Sequence, residues 1–175
     1  MAFGISKGML IPLMVLNFIL YLIAAAIAGS VLNQYLDASS GVVGTRSPAG
    51  NVVTPWFIIV TLITSMVGLA SVLAGMHHVR VWRTESLAGA AATSVIAWTL
   101  TLLTLGLSAK EIHTGGGRSK RLKTVEAFMI ILAFTELLYL LALHAGTVTH
   151  EGYANAPGHR AVNDPKFGTP AAAAV

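Results

Sequence analysis

Glu136 is the one acid set deep inside an apolar stretch, the run over residues 125–146. At the centre of a bilayer an ionised carboxylate costs about 2.5–3.5 kcal/mol even on lenient insertion scales. Two chemistries fit such a residue. It can be a substrate or proton site, or a neutral carboxylic acid bonded to Asn17, a Thr or a Tyr on a neighbouring helix. No apolar stretch carries Lys or Arg in its interior, so no cation offsets the charge and the neutral form is the cheaper one. Helical spacing aligns Glu126, Ala133, Glu136, Leu140 and His144 on one stripe. At 1.5 Å per residue, Glu126 and Glu136 stand about 15 Å apart and His144 about 12 Å beyond. That is too far for a carboxylate dyad or a single metal site; a proton relay there needs water or other side chains between.

The densest polar cluster is His77, His78, Arg80 and Arg83, with Trp82 among them. Trp at headgroup depth and Arg on phosphates make an interfacial anchor, and Arg121 and Lys123 suit the same role after the glycine run 115–117. An Arg/His cluster at the surface can also collect a carboxylate ligand before it enters the membrane. Asn17, His78, Arg80, Arg83 and Glu136 are therefore the candidate ligand-binding residues. Adjacent His77 and His78 lack the spacing that aims two imidazoles at one metal. Lys110, Glu111 and His113 can pair with each other or with Glu126. Cysteine is absent, which removes disulfides, thiolate metal sites and cysteine nucleophiles. No phosphate-binding Gly-Lys-Ser/Thr loop, His-Glu-x-x-His or nucleophile elbow occurs. No catalytic residue, metal or cofactor is expected, and the chain is not expected to be an enzyme.

These residues must be positioned by membrane-spanning helices. Of 175 residues, 55% are hydrophobic and 10% charged, with a mean hydropathy of +0.74. Counting glycine, the apolar share is about 65%, against about 45–50% for globular proteins. So few charges cannot cover a soluble domain of this size. The net charge of +4 lies in short segments between apolar runs, which points to lipid headgroups rather than nucleic acid. A span needs about 20 apolar residues, and four stretches qualify, at about residues 9–32, 55–76, 87–109 and 125–146. The fold expected is an all-α, four-helix membrane bundle. Residues 33–54, 77–86 and 114–123 read as loops, and residues 147–175 as a disordered polar tail. Lys7, Arg80, Arg83, Arg160 and Lys166 fall on one side, and Arg46, Lys110, Arg118, Lys120, Arg121 and Lys123 on the other. That near balance leaves both orientations open under the positive-inside rule.

Helical spacing collects a small or polar face on each of the first three spans: Asn17, Tyr21, Ala24 and Ala28; Thr61, Ser65, Gly68, Val72 and Gly75; Gly89, Thr93, Ala97 and Thr101. Small residues let helix backbones approach in lipid, and hydroxyls or amides bond across the gap. The faces suit a compact bundle rather than a wide pore.

Several motifs in order resemble the plant AWPM-like family, the abscisic-acid-induced plasma membrane polypeptides. They are Pro12-Leu13-Met14-Val15-Leu16-Asn17 with Tyr21-Leu22; Gly68-Leu69-Ala70-Ser71; His78-Val79-Arg80-Val81-Trp82-Arg83; Lys110-Glu111-Ile112-His113; and the run from Glu126 to Leu140. The resemblance covers about residues 9–146. It implies a multi-pass plasma-membrane protein of plants, responsive to abscisic acid, drought, cold or desiccation, with a role in abscisic acid uptake. It also implies that Gln is accepted where Glu136 stands, which favours a neutral, hydrogen-bonding side chain.

Three functions compete. The first is facilitated uptake of abscisic acid or a similar small carboxylic acid, with the basic cluster collecting the anion and Asn17 and Glu136 passing the neutral form. The alternative is a non-transporting structural tetraspan that stabilises membranes or partner proteins during desiccation. The weakest is a proton or ion channel using Glu126, Glu136 and His144. Partners expected are the lipid bilayer, abscisic acid, and a homo-oligomer or membrane-protein partner; nucleic acid is not.

Overall fold

The computed structural model describes residues 5–39, 50–81 and 84–148, with side chains over 10–38, 50–81 and 86–144. Four helices run in order: α1 (Ile5–Ser39), α2 (Thr54–Val81), α3 (Thr84–Thr114) and α4 (Lys120–Val148). Each is long and apolar enough to cross a membrane, and the fold is the expected four-helix membrane bundle. α1 packs on α2 and α4, and α3 packs on α2 and α4, closing a ring of neighbouring helices. The α3–α4 connection is short, as antiparallel neighbours require.

The helices run past the apolar stretches that suggested them. His77, His78 and Arg80, expected in a loop, lie in the last turns of α2, and α3 resumes at Thr84. Helical hydrogen bonding does not stop where apolar composition stops, and nothing in His-His-Val-Arg-Val breaks it. α1 likewise continues to Ser39, into the stretch read as loop, and α4 starts at Lys120. Trp82 and Arg83 lie outside the described residues, as do the loop interior 40–49 and the tail from residue 149.

The buried residues follow a seven-residue repeat on every helix. α1 buries Leu10, Met14, Asn17, Tyr21, Ala24, Ala28 and Val31, and α4 buries Leu122, Val125, Met129, Leu132, Glu136, Tyr139 and Leu143. α2 buries Thr54, Phe57, Thr61, Thr64, Gly68, Ser71, Gly75 and His78. α3 buries Ala90, Ser94, Ala97, Thr101, Thr104, Ser108 and Glu111. Steps alternating between three and four residues keep one seam inward by left-handed coiling. The same repeat corrects the expected α3 face. Gly89 is exposed and Thr93 half-buried, because a stripe stepped only by fours drifts off the seam.

The interior is asymmetric in chemistry. α1 and α4 contribute most of the apolar core, whereas the α2 and α3 seams are largely Thr, Ser, Gly and Ala. The outside is the reverse of a soluble protein, with Ile11, Leu22, Ile63, Met66, Leu103, Phe134 and Leu141 all exposed, as a lipid-facing surface requires.

Candidate functional site

Each helix brings one polar side chain to the level of Glu136. The Asn17 amide on α1 donates to Glu136 Oε2 at 2.8 Å. On the other oxygen, Ser71 of α2 donates at 3.2 Å and Ser94 of α3 at 3.4 Å. All four residues have no exposed surface. Asn17, Ser71, Ser94 and Glu136 each occupy a seam position, so the coiling that packs the bundle also converges them. The carboxyl group is thus a four-helix junction. Of the expected ligand-binding set, Asn17 and Glu136 are brought together, His78 and Arg80 lie away from them on the last turns of α2, and Arg83 falls outside the described residues.

Two tyrosines bracket the junction. Tyr21, one turn from Asn17, lies against Gly68 of α2, and its hydroxyl meets the Thr101 hydroxyl of α3 at 3.1 Å. Tyr139, one turn from Glu136, lies against Gly75. A Cβ at Gly68 would enter the Tyr21 ring, and one at Gly75 would strike the Tyr139 hydroxyl. Glycine is required at both positions by this close approach. Below the junction the polar seam continues: Thr64 and Thr104 hydroxyls meet at 2.8 Å across α2 and α3. Thr101 and Thr104 also donate to the carbonyls of Ala97 and Leu100 on their own helix, the usual resource of a membrane hydroxyl. Thr61, Ser65 and Ser108 have no hydrogen-bond partner although buried, and Asn17 Oδ1 is likewise unpaired.

A second polar centre closes the bundle end formed by the start of α2 and the end of α3. Glu111, expected to pair with Lys110, His113 or Glu126, is instead fully buried and accepts a hydrogen bond from the Thr54 hydroxyl at 2.5 Å. Lys110 and His113 face outward, because immediate or next neighbours on a helix point apart. Glu126 is also buried, and its Oε2 takes Arg118 Nη1 at 2.7 Å. Asn51 latches the two ends of the turn, donating to the carbonyls of Glu111 at 3.1 Å and Gly115 at 2.8 Å. Its Oδ1 accepts the Val53 amide at 2.8 Å, which starts α2. Gly115, at φ 70°, ends α3 in the left-handed conformation that favours glycine.

The described residues of the basic cluster point different ways. His78 is buried rather than presented to solvent, with Nδ1 on the Ser86 hydroxyl of α3 at 2.9 Å; the seam repeat that passes through Gly75 reaches it next. Arg80 and His77 are exposed on α2. Arg83 and Trp82 fall outside the described residues. Arg121 is exposed and donates to Ser30 of α1 at 2.9 Å, and Lys123 is exposed. His144, expected on the Glu136 stripe, is exposed, with its Nδ1 at 2.9 Å from the Leu140 carbonyl of its own helix. Glu126, Glu136 and His144 therefore do not line one path. Among the described residues no group of three or more His, Asp or Glu is placed to hold a metal.

A family model described as AWPM-19-like family matches residues 15–146. The chain belongs to the AWPM-19-like family. Every residue of the Glu136 junction lies inside the matched range. The chain is also 46% identical over 156 residues to Membrane protein PM19L of Oryza sativa subsp. japonica, covering 89% of this chain and 88% of that protein. No solved structure matches. The chain is thus a multi-pass membrane protein of a plant family.

The sequence pointed to Glu136 and Asn17 but missed Ser71, Ser94, Thr54 and Arg118. Ser71 and Ser94 lie on the inward seams, a signal readable only once the seven-residue step is known. Thr54 is the first residue of the α2 seam, in a stretch whose composition reads as loop, and Arg118 comes from the α3–α4 connection, whose contacts are not encoded by periodicity.

Proposed function

We propose that this AWPM-19-like protein eases the passage of a small amphipathic carboxylic acid, abscisic acid being the candidate its family resemblance implies, across the plant plasma membrane. The observation that carries this reading is the junction of Asn17, Ser71, Ser94 and Glu136, one residue from each helix, buried together within the bundle. A neutral carboxyl group both donates and accepts, as do the hydroxyl, amide and acid groups gathered there. The unpaired Thr61, Ser65 and Ser108 hydroxyls extend the same chemistry along the seam, and each can replace a hydration bond that the passenger loses. Such exchange lowers the cost of taking a polar group out of water. Arg80, exposed in the last turn of α2, supplies positive charge that attracts the anion.

The test is uptake of labelled abscisic acid into proteoliposomes holding the purified chain. Saturable uptake above that of empty vesicles is expected, weakened when Arg80 and Arg83 are both replaced and little changed in Glu136→Gln. Uptake equal to empty vesicles at several pH values would sink the proposal.

The close seating of Tyr21 on Gly68 and Tyr139 on Gly75 favours a second reading, a rigid tetraspan that stabilises the membrane or a partner during water loss. Wild-type vesicle permeability together with co-purification of a stoichiometric membrane-protein complex supports it; saturable transport by the isolated chain rejects it.

A further inference from the structure

The Glu111–Glu126 centre stands apart from Glu136 and is not used in the reading above. Among the described residues its charge does not balance. Two carboxylates face one guanidinium, that of Arg118, which is held by Glu126 and also lies within electrostatic reach of Glu111. Glu126 lies within electrostatic reach of Glu111. The other described groups that act on them are Tyr35 of α1, bonded to Thr54, and Lys123 of α4, an exposed side chain acting on Glu126 at a distance. Lys110 and His113 face outward, and α2 brings Thr54.

Hydrogen bonding is incomplete in the same place. Glu111 Oε2 and Glu126 Oε1 are both buried without a partner. Ser108, fully buried and also unpartnered, lies one turn before Glu111 on the α3 seam, where side chains three apart are neighbours. Leaving two carboxyl oxygens buried and unpaired is costly. A second positive charge removes both faults at once, and a proton is the one that fits without further ligands: it turns one acid from acceptor into donor. The oxygens offered are too few for a dehydrated metal ion, which takes six or more.

We propose that Glu111 and Glu126 together hold one exchangeable proton, making the Asn51 end of the bundle a proton-binding site distinct from Glu136. The proton comes from water past the partly exposed Arg118 side chain and returns the same way. It belongs to the pair rather than to either residue. Above it, Ser108 leads to the Thr64–Thr104 hydroxyl pair.

Infrared difference spectroscopy of the full chain in nanodiscs, titrated in pH, tests this in a Glu136→Gln background, where the central acid is silent. The signal of a protonated carboxylic acid at neutral pH is expected to correspond to about one carboxyl per chain. Adding either Glu111→Gln or Glu126→Gln abolishes it, since the acid that remains is balanced by Arg118. Adding Arg118→Gln instead increases it, because two acids then lack a cation. The Glu136→Gln protein alone decides the question if a further variant does not fold: absence of the signal there overturns the proposal. A signal indifferent to both Gln substitutions also overturns it. So does replacement of the signal by sodium or potassium at constant ionic strength, which assigns the site to an alkali cation.

Discussion

Replacing Glu136 by Leu and by Gln separates a neutral hydrogen-bonding junction from a charged one. Leu removes the acceptor for Asn17, Ser71 and Ser94 together. Interhelical hydrogen bonds in membranes average about 0.6 kcal/mol and reach about 1.7. Loss of all three therefore costs about 2–5 kcal/mol, most of it at Asn17, because serine hydroxyls can turn to a carbonyl of their own helix. Gln keeps the size and both polar ends. Its carbonyl accepts from Asn17, and its amide donates to the Ser71 and Ser94 oxygens, which can accept as readily as they donate. The cost of Gln is expected to stay within about 1 kcal/mol. The double variant Asn17→Leu/Glu136→Leu should recover part of the loss, since an apolar pair leaves no amide stranded. Reversible unfolding in mixed micelles or bicelles, analysed as a double-mutant cycle, measures each value. Gln as damaging as Leu would refute the argument, because the carboxylate charge itself would then hold the helices.

Other consequences follow from single contacts. Gly68→Ala drives a methyl group into the buried Tyr21 ring; overpacking of about 1–3 kcal/mol outweighs the helix gain of up to about 1 kcal/mol. Gly106→Ala meets nothing within 4 Å and should stabilise by about 0.5–1 kcal/mol in the same unfolding assay; equal effects at the two sites would discredit the tyrosine notch. Asn51→Ala loses three hydrogen bonds, about 1.5–4 kcal/mol in all, and should speed hydrogen exchange at the end of α3 and the start of α2. Thr61→Val removes a buried hydroxyl that has no partner, so stability should hold or rise while abscisic acid uptake falls; unchanged uptake would take Thr61 off the route.

The helix count and the inward faces of α1 and α2 were legible because membrane spans need long apolar runs and because period fixes faces. Asn17, Tyr21, Ala24 and Ala28 are all buried as expected, as are Thr61, Ser65, Gly68, Val72 and Gly75. α3 was less legible, since small residues occur on several of its sides and do not mark one stripe by hydropathy. The loops were least legible. The last turns of α2 carry His and Arg, so composition reads them as a polar connector, while backbone hydrogen bonding carries the helix through.

Scarcity of charge by itself determined that the chain is a membrane bundle and that Glu136 needs a partner, since neither conclusion depends on where other helices lie. Only the tertiary structure decided which partner. The Asn17 and Glu136 side chains are 119 residues apart in sequence and 2.8 Å apart in space, a pairing set by helix order and coiling rather than by local pattern. The same holds for Glu111 and Glu126. In sequence Glu111 reads as a partner for Lys110 or His113, and Glu126 as their partner or as part of the Glu136 stripe; folding turns Lys110 and His113 outward and leaves both carboxyl groups buried, with Arg118 on Glu126. Composition sets how many charges the bundle must accommodate, but burial and neighbours determine what each one costs.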